Sequence, residues 1–257
     1  MTMEQPLGHG FILEPLIDTD YRFGGVSKLK GEVINPGGDW LGFLPDNEFQ
    51  APLFETNACT CFGATNAIEI LTKFTFGKNL NLSDRFAAKG SGVDPLVGNT
   101  PKRAADFLRK SWSVNESEWP MEGVQSVEEY YKEISDLLYS KAQILKGDNV
   151  FGYEYVQPMK TLLKEALKRG PVGMSCALML DENGLWYKPA GWRDTHWVTL
   201  VKIRENGNYV IYDSYSPFIK EVRGDFVSEF AYRYELNEEL VDAITRLINA
   251  IKKWLGL

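Results

Sequence analysis

Two β-rich runs flanking Asn206-Gly207 fix the geometry of one part of this chain more tightly than any other feature. The first is Thr195-His196-Trp197-Val198-Thr199-Leu200-Val201-Lys202-Ile203, rich in β-branched and aromatic residues. The second, Tyr209-Val210-Ile211-Tyr212-Asp213, follows Glu205-Asn206-Gly207-Asn208. Asn-Gly between such runs is the strongest short hairpin signal, because both residues tolerate the positive φ a tight turn needs. The strands therefore run antiparallel, with His196 and Asp213 at the same open end. An even number of loop residues puts both side chains on one face, since side chains alternate with period two. The tightest turn leaves them about four residues out of register, and a four-residue loop about two. Contact then requires strand twist or a bulge. His196 is one of only two histidines in 257 residues, and an imidazole held by an acid is half of a nucleophile-activating triad.

Ahead of the hairpin the chain changes character along its length. Residues 1–39 carry Gly24-Gly25 and Pro36-Gly37-Gly38 and few periodic runs, so they read as an extended arm or short pro-like segment. Helical spacing begins at Cys59 and runs to Phe74, with small residues interleaved, which predicts a largely buried helix. Ser83–Ala88 and Pro101–Lys110 read as further helices, the second with proline in its first turn. A longer amphipathic helix is expected over Val127–Leu145, with Ser126 as its N-cap. A short helix over Pro158–Arg169 stops at Gly170-Pro171. Strands follow at Val172–Leu180, the hairpin, Ile219–Val222 and Phe230–Leu236. Helices first and strands second predict an α+β body over residues 40–236, with a helical lobe at about 51–157 and a β lobe at about 158–236. Residues 237–257 form an amphipathic helical pattern suited to docking, self-association or contact with a membrane surface.

Composition narrows the function classes. The hydrophobic share of 44% and aromatic share of 13% describe a folded globular chain. A net charge of −7 argues against nucleic acid as a partner. No apolar stretch approaches the roughly 20 residues of a membrane span, and the N-terminus lacks the pattern of a secretory signal. Cys59, Cys61 and Cys176 are the only cysteines. No second Cys/His cluster completes a zinc site around Cys59 and Cys61, so neither a metal nor a cofactor is expected. An odd, small number of thiols suits a reducing compartment such as a cytoplasm.

Cys59 and Cys61 both lie at the expected N-terminus of the first helix, where the helix dipole and a nearby imidazolium stabilise a thiolate. Taken alone, they read better as small core residues. His196 follows Cys59 by 137 residues, and the order Cys, His, then amide or acid is that of papain-type enzymes.

The chain resembles the papain-like cysteine peptidases in several ordered pieces. Cys59-Thr60-Cys61-Phe62-Gly63-Ala64 with Ile68-Glu69 is similar to the family's Cys-Trp-Ala-Phe-Ser-Ala and Ile-Glu. Asn81-Leu82-Ser83 resembles its Leu-Ser, and Ala105-Asp106-Phe107-Leu108 through Trp119-Pro120 its helix leading to Tyr-Pro-Tyr. Gly170-Pro171-Val172 matches Gly-Pro-Val, His196-Trp197-Val198 resembles His-Ala-Val, and Tyr212-Asp213-Ser214-Tyr215 resembles Lys-Asn-Ser-Trp.

The resemblance implies a two-lobed fold with a β-barrel-like second lobe, a cleft between the lobes, and peptide or protein substrates. Cys59 would be the nucleophile, with Cys61 as the alternative. His196 would be its acid–base partner, and Asp213 would orient His196 where the family carries asparagine. The family's oxyanion glutamine stands six residues before the nucleophile. Here Leu53 stands six before Cys59 and Glu55 six before Cys61, so Asn57 and Glu55 become the oxyanion candidates. Trp197 and Tyr215 are the cleft candidates, Tyr215 in the seat of a shielding tryptophan. The implied protein is an intracellular peptidase of microbial or phage type, cytoplasmic or virion-associated. Two other readings use the same residues: a papain-fold protein with a binding or structural role, and a Cys-His-Asp acyltransferase or amidase.

Overall fold

Helix α1 (Cys59–Phe76) is the element around which the rest assembles, and every residue from Cys59 to Thr72 is buried. It packs against the sheet on one side and against α2 (Asp84–Ser91) and α3 (Pro101–Ser111) on the other. The computed structural model describes residues 10–25, 29, 31–146 and 151–236. The amphipathic tail at 237–257 lies outside the described residues. No helix among the described residues is long and apolar enough to cross a membrane.

Local signals set the helix ends. Ser83 accepts from Phe86 N–H and Thr100 from Arg103 N–H, each satisfying one unpaired first-turn donor. Gly77 closes α1 in the left-handed conformation with its N–H on the Lys73 carbonyl. The expected single helix over Val127–Leu145 is instead two, α4 (Val127–Tyr130) and α5 (Asp136–Lys146). Ser135 breaks it by acting as a fresh cap: its carbonyl accepts from Leu138 and Tyr139 N–H, and its hydroxyl also accepts from Leu138. The break lets Ile134 join Phe86, Val114, Trp119, Leu138 and Ala142 in a small second core. After β1 (Phe151–Tyr155), α6 (Lys160–Leu167) precedes Gly170-Pro171 and the remaining strands.

Those strands are β2 (Val172–Cys176), β3 (Met179–Leu180), β4 (Trp186–Tyr187), β5 (His196–Ile203), β6 (Tyr209–Tyr212), β7 (Ile219–Val222) and β8 (Ala231–Leu236). They form one eight-stranded sheet in the order β1-β8-β2-β5-β6-β7-β4-β3. The sheet is open, which corrects the barrel-like expectation. One edge, β3, is only two residues long, and the N-terminal arm covers the other: Phe23 N–H donates to the Tyr155 carbonyl and Tyr155 N–H to the Tyr21 carbonyl. A covered or very short edge needs no closure to be protected. β1, inside the range expected for the helical lobe, pairs with β8 in the sheet. The buried Arg233 of β8 bonds Glu154 of β1 at 2.6 Å and Glu235 at 2.9 Å.

The join between α1 and the sheet is close because glycine allows it. A Cβ on Gly63 of α1 would lie 2.5 Å from Trp197 Cδ1, and one on Gly173 of β2 would lie 2.6 Å from Trp197 Cζ2. The indole is thus held between two residues without side chains. Gly63→Ala gains about 1 kcal/mol of helix propensity but forces a ring that cannot retreat, at about 1–3 kcal/mol for overpacking. The net expectation is a lower unfolding midpoint in denaturant; an unchanged or raised midpoint would contradict this packing.

Candidate active site

Cys59 is the first residue of α1, and Ala58 before it offers no side-chain cap. The Cys59 and Thr60 N–H groups find no acceptor among the described residues, so the positive end of the helix is open where the thiol sits. The Trp197 backbone N–H reaches the Cys59 sulfur, which puts the thiol beside the residue that follows His196. Complete burial pushes the Cys59 thiol up, with Glu55, Cys61 and Asp213 adding to the rise. In this state the thiol is buried and neutral.

Cys61 lies elsewhere. Two residues along an α-helix turn the side chain by about 200°, and the Cys61 sulfur faces Ser91 Oγ of α2 at 3.3 Å. Burial raises it to about 11. Helix geometry therefore brings only Cys59 to the sheet.

The hairpin positions His196 and Asp213 by an indirect route. Ile203 pairs with Tyr209, leaving five loop residues, an odd number that would put His196 and Asp213 on opposite faces. Between Leu200 and Lys202 the register shifts, so Thr199 pairs with Tyr212. Carried one step further, Asp213 stands opposite Val198, two residues from His196 and on its face. The bulge residue, Val201, turns its carbonyl to the Trp40 N–H at 2.9 Å. A contact from the N-terminal segment thus accompanies the irregularity that assembles the pair.

His196 Nε2 lies 2.7 Å from Asp213 Oδ1, and the other ring nitrogen, Nδ1, has no partner. A carboxylate on Nε2 selects the tautomer with the proton there, leaving the Nδ1 lone pair free. Burial alone would raise the Asp213 carboxyl, but His196 and Lys220 outweigh it and hold it below the ordinary carboxylate value. Lys220, on β7, donates to Asp213 Oδ2 at 2.7 Å. The Tyr215 ring meets the imidazole edge to face, with centroids 5.2 Å apart.

Neither expected oxyanion side chain is a free donor. Asn57 spends its amide nitrogen on the Pro95 carbonyl at 2.7 Å. Glu55 offers no hydrogen here and serves as an acceptor, from Gln50 Nε2, Asn57 N–H and the Tyr215 hydroxyl. Gln50 is the residue that spacing misses. It is fully buried, its amide nitrogen bonds Glu55 and Tyr215, and its oxygen accepts from Ser214. It stands nine residues before Cys59, so a count of six passes over it. Trp197, a cleft candidate, is a core residue: its indole is buried between Gly63 and Gly173 and meets the arm through Phe11.

That arm crosses directly over the site. Phe11 N–H donates to the carbonyl of Thr195, the neighbour of His196, at 3.0 Å. On the helical side, Asn99 N–H donates to the Gly10 carbonyl and Ile12 N–H to the Asn99 carbonyl. Phe11 stacks on Trp197 with ring centroids 5.6 Å apart and planes 18° from parallel. Gly10 slips past Asn57, two residues before Cys59, where a Cβ would come within 2.5 Å of the Asn57 carbonyl oxygen. Beneath this strap Cys59 is 0% and His196 3% exposed.

Neither a family model nor a curated protein matches this sequence. Solved structures do match in shape. The bromelain protease from Ananas comosus, in complex with the E64 inhibitor, is 16% identical, with a TM-score of 0.57 over 77% of this chain and 98% of that one. A recombinant stem bromelain precursor is 15% identical, with a TM-score of 0.62 over 89% of this chain and 77% of that one. Digestive procathepsin L 3 from the larval midgut of Tenebrio molitor is 15% identical, with a TM-score of 0.56 over 85% and 75%. On these matches in shape, this chain has the fold of the papain-like cysteine proteases.

Proposed function

We propose that this chain is a cysteine peptidase held latent by its own N-terminal arm. The observation that carries the reading is the His196 ring, fixed through Nε2 by Asp213 and unpartnered at Nδ1, in the same buried site as a thiol on an uncapped helix N-terminus. With the arm displaced, His196 Nδ1 takes the Cys59 proton and the sulfur attacks a peptide carbonyl. The helix N-terminus favours the thiolate, and its first-turn N–H groups are donors for the oxyanion. Collapse of the tetrahedral intermediate breaks the C–N bond, His196 returns its proton to the leaving amine, and a thioester on Cys59 remains. Water, deprotonated by His196, then hydrolyses the thioester and frees the thiol.

The arm supports latency because residues 10–12 occupy backbone groups that an extended peptide would use. The Thr195 carbonyl and both polar groups of Asn99 are taken up by the arm, in the manner of a strand added to an exposed edge. Gly24 and Gly25 form an exposed turn beyond it, a candidate point for proteolytic release. The test is hydrolysis of a mixed peptide library under reductant by protein nicked at this turn. New amine termini are expected; a folded, nicked protein that releases none, at any pH from 5 to 8, would sink the reading.

A further inference from the structure

Lys220 is a buried lysine with no place in the chemistry just described. It is 2% exposed on β7, and its ammonium donates to Asp213 Oδ2 at 2.7 Å, the Tyr215 carbonyl at 2.6 Å and the Pro217 carbonyl at 2.8 Å. All three ammonium donors are therefore spent, and the Trp186 ring lies under the charge at 5.1 Å. Lysine is among the residues least often fully buried, and a buried charge is tolerated only when paired. Here the pair is with the very carboxylate that holds the imidazole.

We propose that Lys220 is a positioning residue for His196 acting through Asp213: it turns the acid into half of a neutral pair, so that the imidazole is oriented as an uncharged amide would orient it. This rests on the peptidase reading of the site. The division of labour is visible in the oxygens. Oδ1 accepts from His196 and the Tyr215 N–H, while Oδ2 accepts from Lys220. A lone carboxylate in a buried site would attract a proton to the imidazole far more strongly than in water. A cation on the opposite oxygen cancels much of that pull. His196 thereby stays able to give its proton to a leaving amine as well as to take one from a thiol. Other groups among the described residues also face the two. His196 is faced by Tyr215 from the connection between β6 and β7, and Cys59 of α1 lies beside its strand neighbour Trp197. Cys176 pairs with His196 across β2 and β5, and it senses Asp213, Asp194 and Lys220. On the Cys59 side, Glu55 adds a negative charge that the thiol senses.

The test is the titration of the His196 imidazole, read by nuclear magnetic resonance on the full chain and separated from His9 with a His9→Gln variant. Lys220→Met should raise the imidazole pKa by about 1 unit or more. The double variant Asp213→Asn with Lys220→Met should bring it back to the wild-type value or below it, since no net carboxylate charge remains. Should Lys220→Met alone fail to fold, a double variant that folds with a near-normal unfolding midpoint supports the charge-balancing role. A double variant that unfolds as readily as the single one overturns it, as does an imidazole pKa that Lys220→Met leaves unmoved. Neither readout requires turnover. A shifted titration without peptide hydrolysis in wild type would therefore defeat the peptidase reading alone, and hydrolysis with an unshifted titration would defeat this inference alone.

Discussion

Phe11→Ala is expected to speed alkylation of Cys59 by about 100-fold while leaving the rest of the protein folded. The ring is buried against Trp197 and is the main apolar anchor of the strap. Removing a buried phenylalanine side chain costs about 3 kcal/mol at the low end of its range, and 1.4 kcal/mol is a factor of ten in an equilibrium. Most of that loss falls on the docked arm, so it appears as population of an open state. Gly10→Ala should act in the same direction by another route, since its Cβ would meet the Asn57 carbonyl. The control is internal. Cys61 faces Ser91 between α1 and α2, away from the strap, and its labelling rate should hardly change. Equal acceleration at both cysteines would mean general loosening, and no acceleration at Cys59 would mean that the arm does not guard the thiol.

Cys59→Ala should abolish peptide hydrolysis by the released protein, a loss of about 10⁴-fold or more, because a covalent mechanism has no substitute for its nucleophile. Cys61→Ala should keep hydrolysis within about tenfold of wild type. It removes a sulfur packed on Ser91 and costs mainly the packing of a small buried side chain. The two residues are separated by one position in sequence but by more than half a turn in space. Activity that survives Cys59→Ala and vanishes in Cys61→Ala would show that α1 is rotated from the arrangement described above.

What could be read from the sequence was what local chemistry decides. The start of α1 at Cys59, the proline-led α3, the Gly170-Pro171 stop and the Asn206-Gly207 hairpin are all written in neighbouring residues. The need for twist or a bulge between His196 and Asp213 was legible too. Its location was not, because the Val201 carbonyl is taken by Trp40, which is 161 residues away. Spacing failed wherever loop length mattered. Gln50 reaches the Tyr215–Glu55 cluster from nine residues upstream of Cys59, and no local pattern distinguishes it from a surface glutamine. Ile219-Lys220-Glu221-Val222 puts one apolar and one polar residue on each face, so alternation does not say which face is inward, and Lys220 is buried while Ile219 is half exposed. The partner that settles it is Asp213, brought in by the register of β6 against β7. The tertiary environment decided these positions, and one sequence carries no trace of it.

The most direct test maps the adduct of a thiol-directed electrophile on the Phe11→Ala protein at pH 7 by fragment mass spectrometry. The chemistry proposed above predicts one fast adduct, located on Cys59 and not on Cys61 or Cys176, whose rate advantage over a free thiol disappears in His196→Ala. A first adduct on Cys61, or a Cys59 rate that His196→Ala leaves untouched, would contradict it.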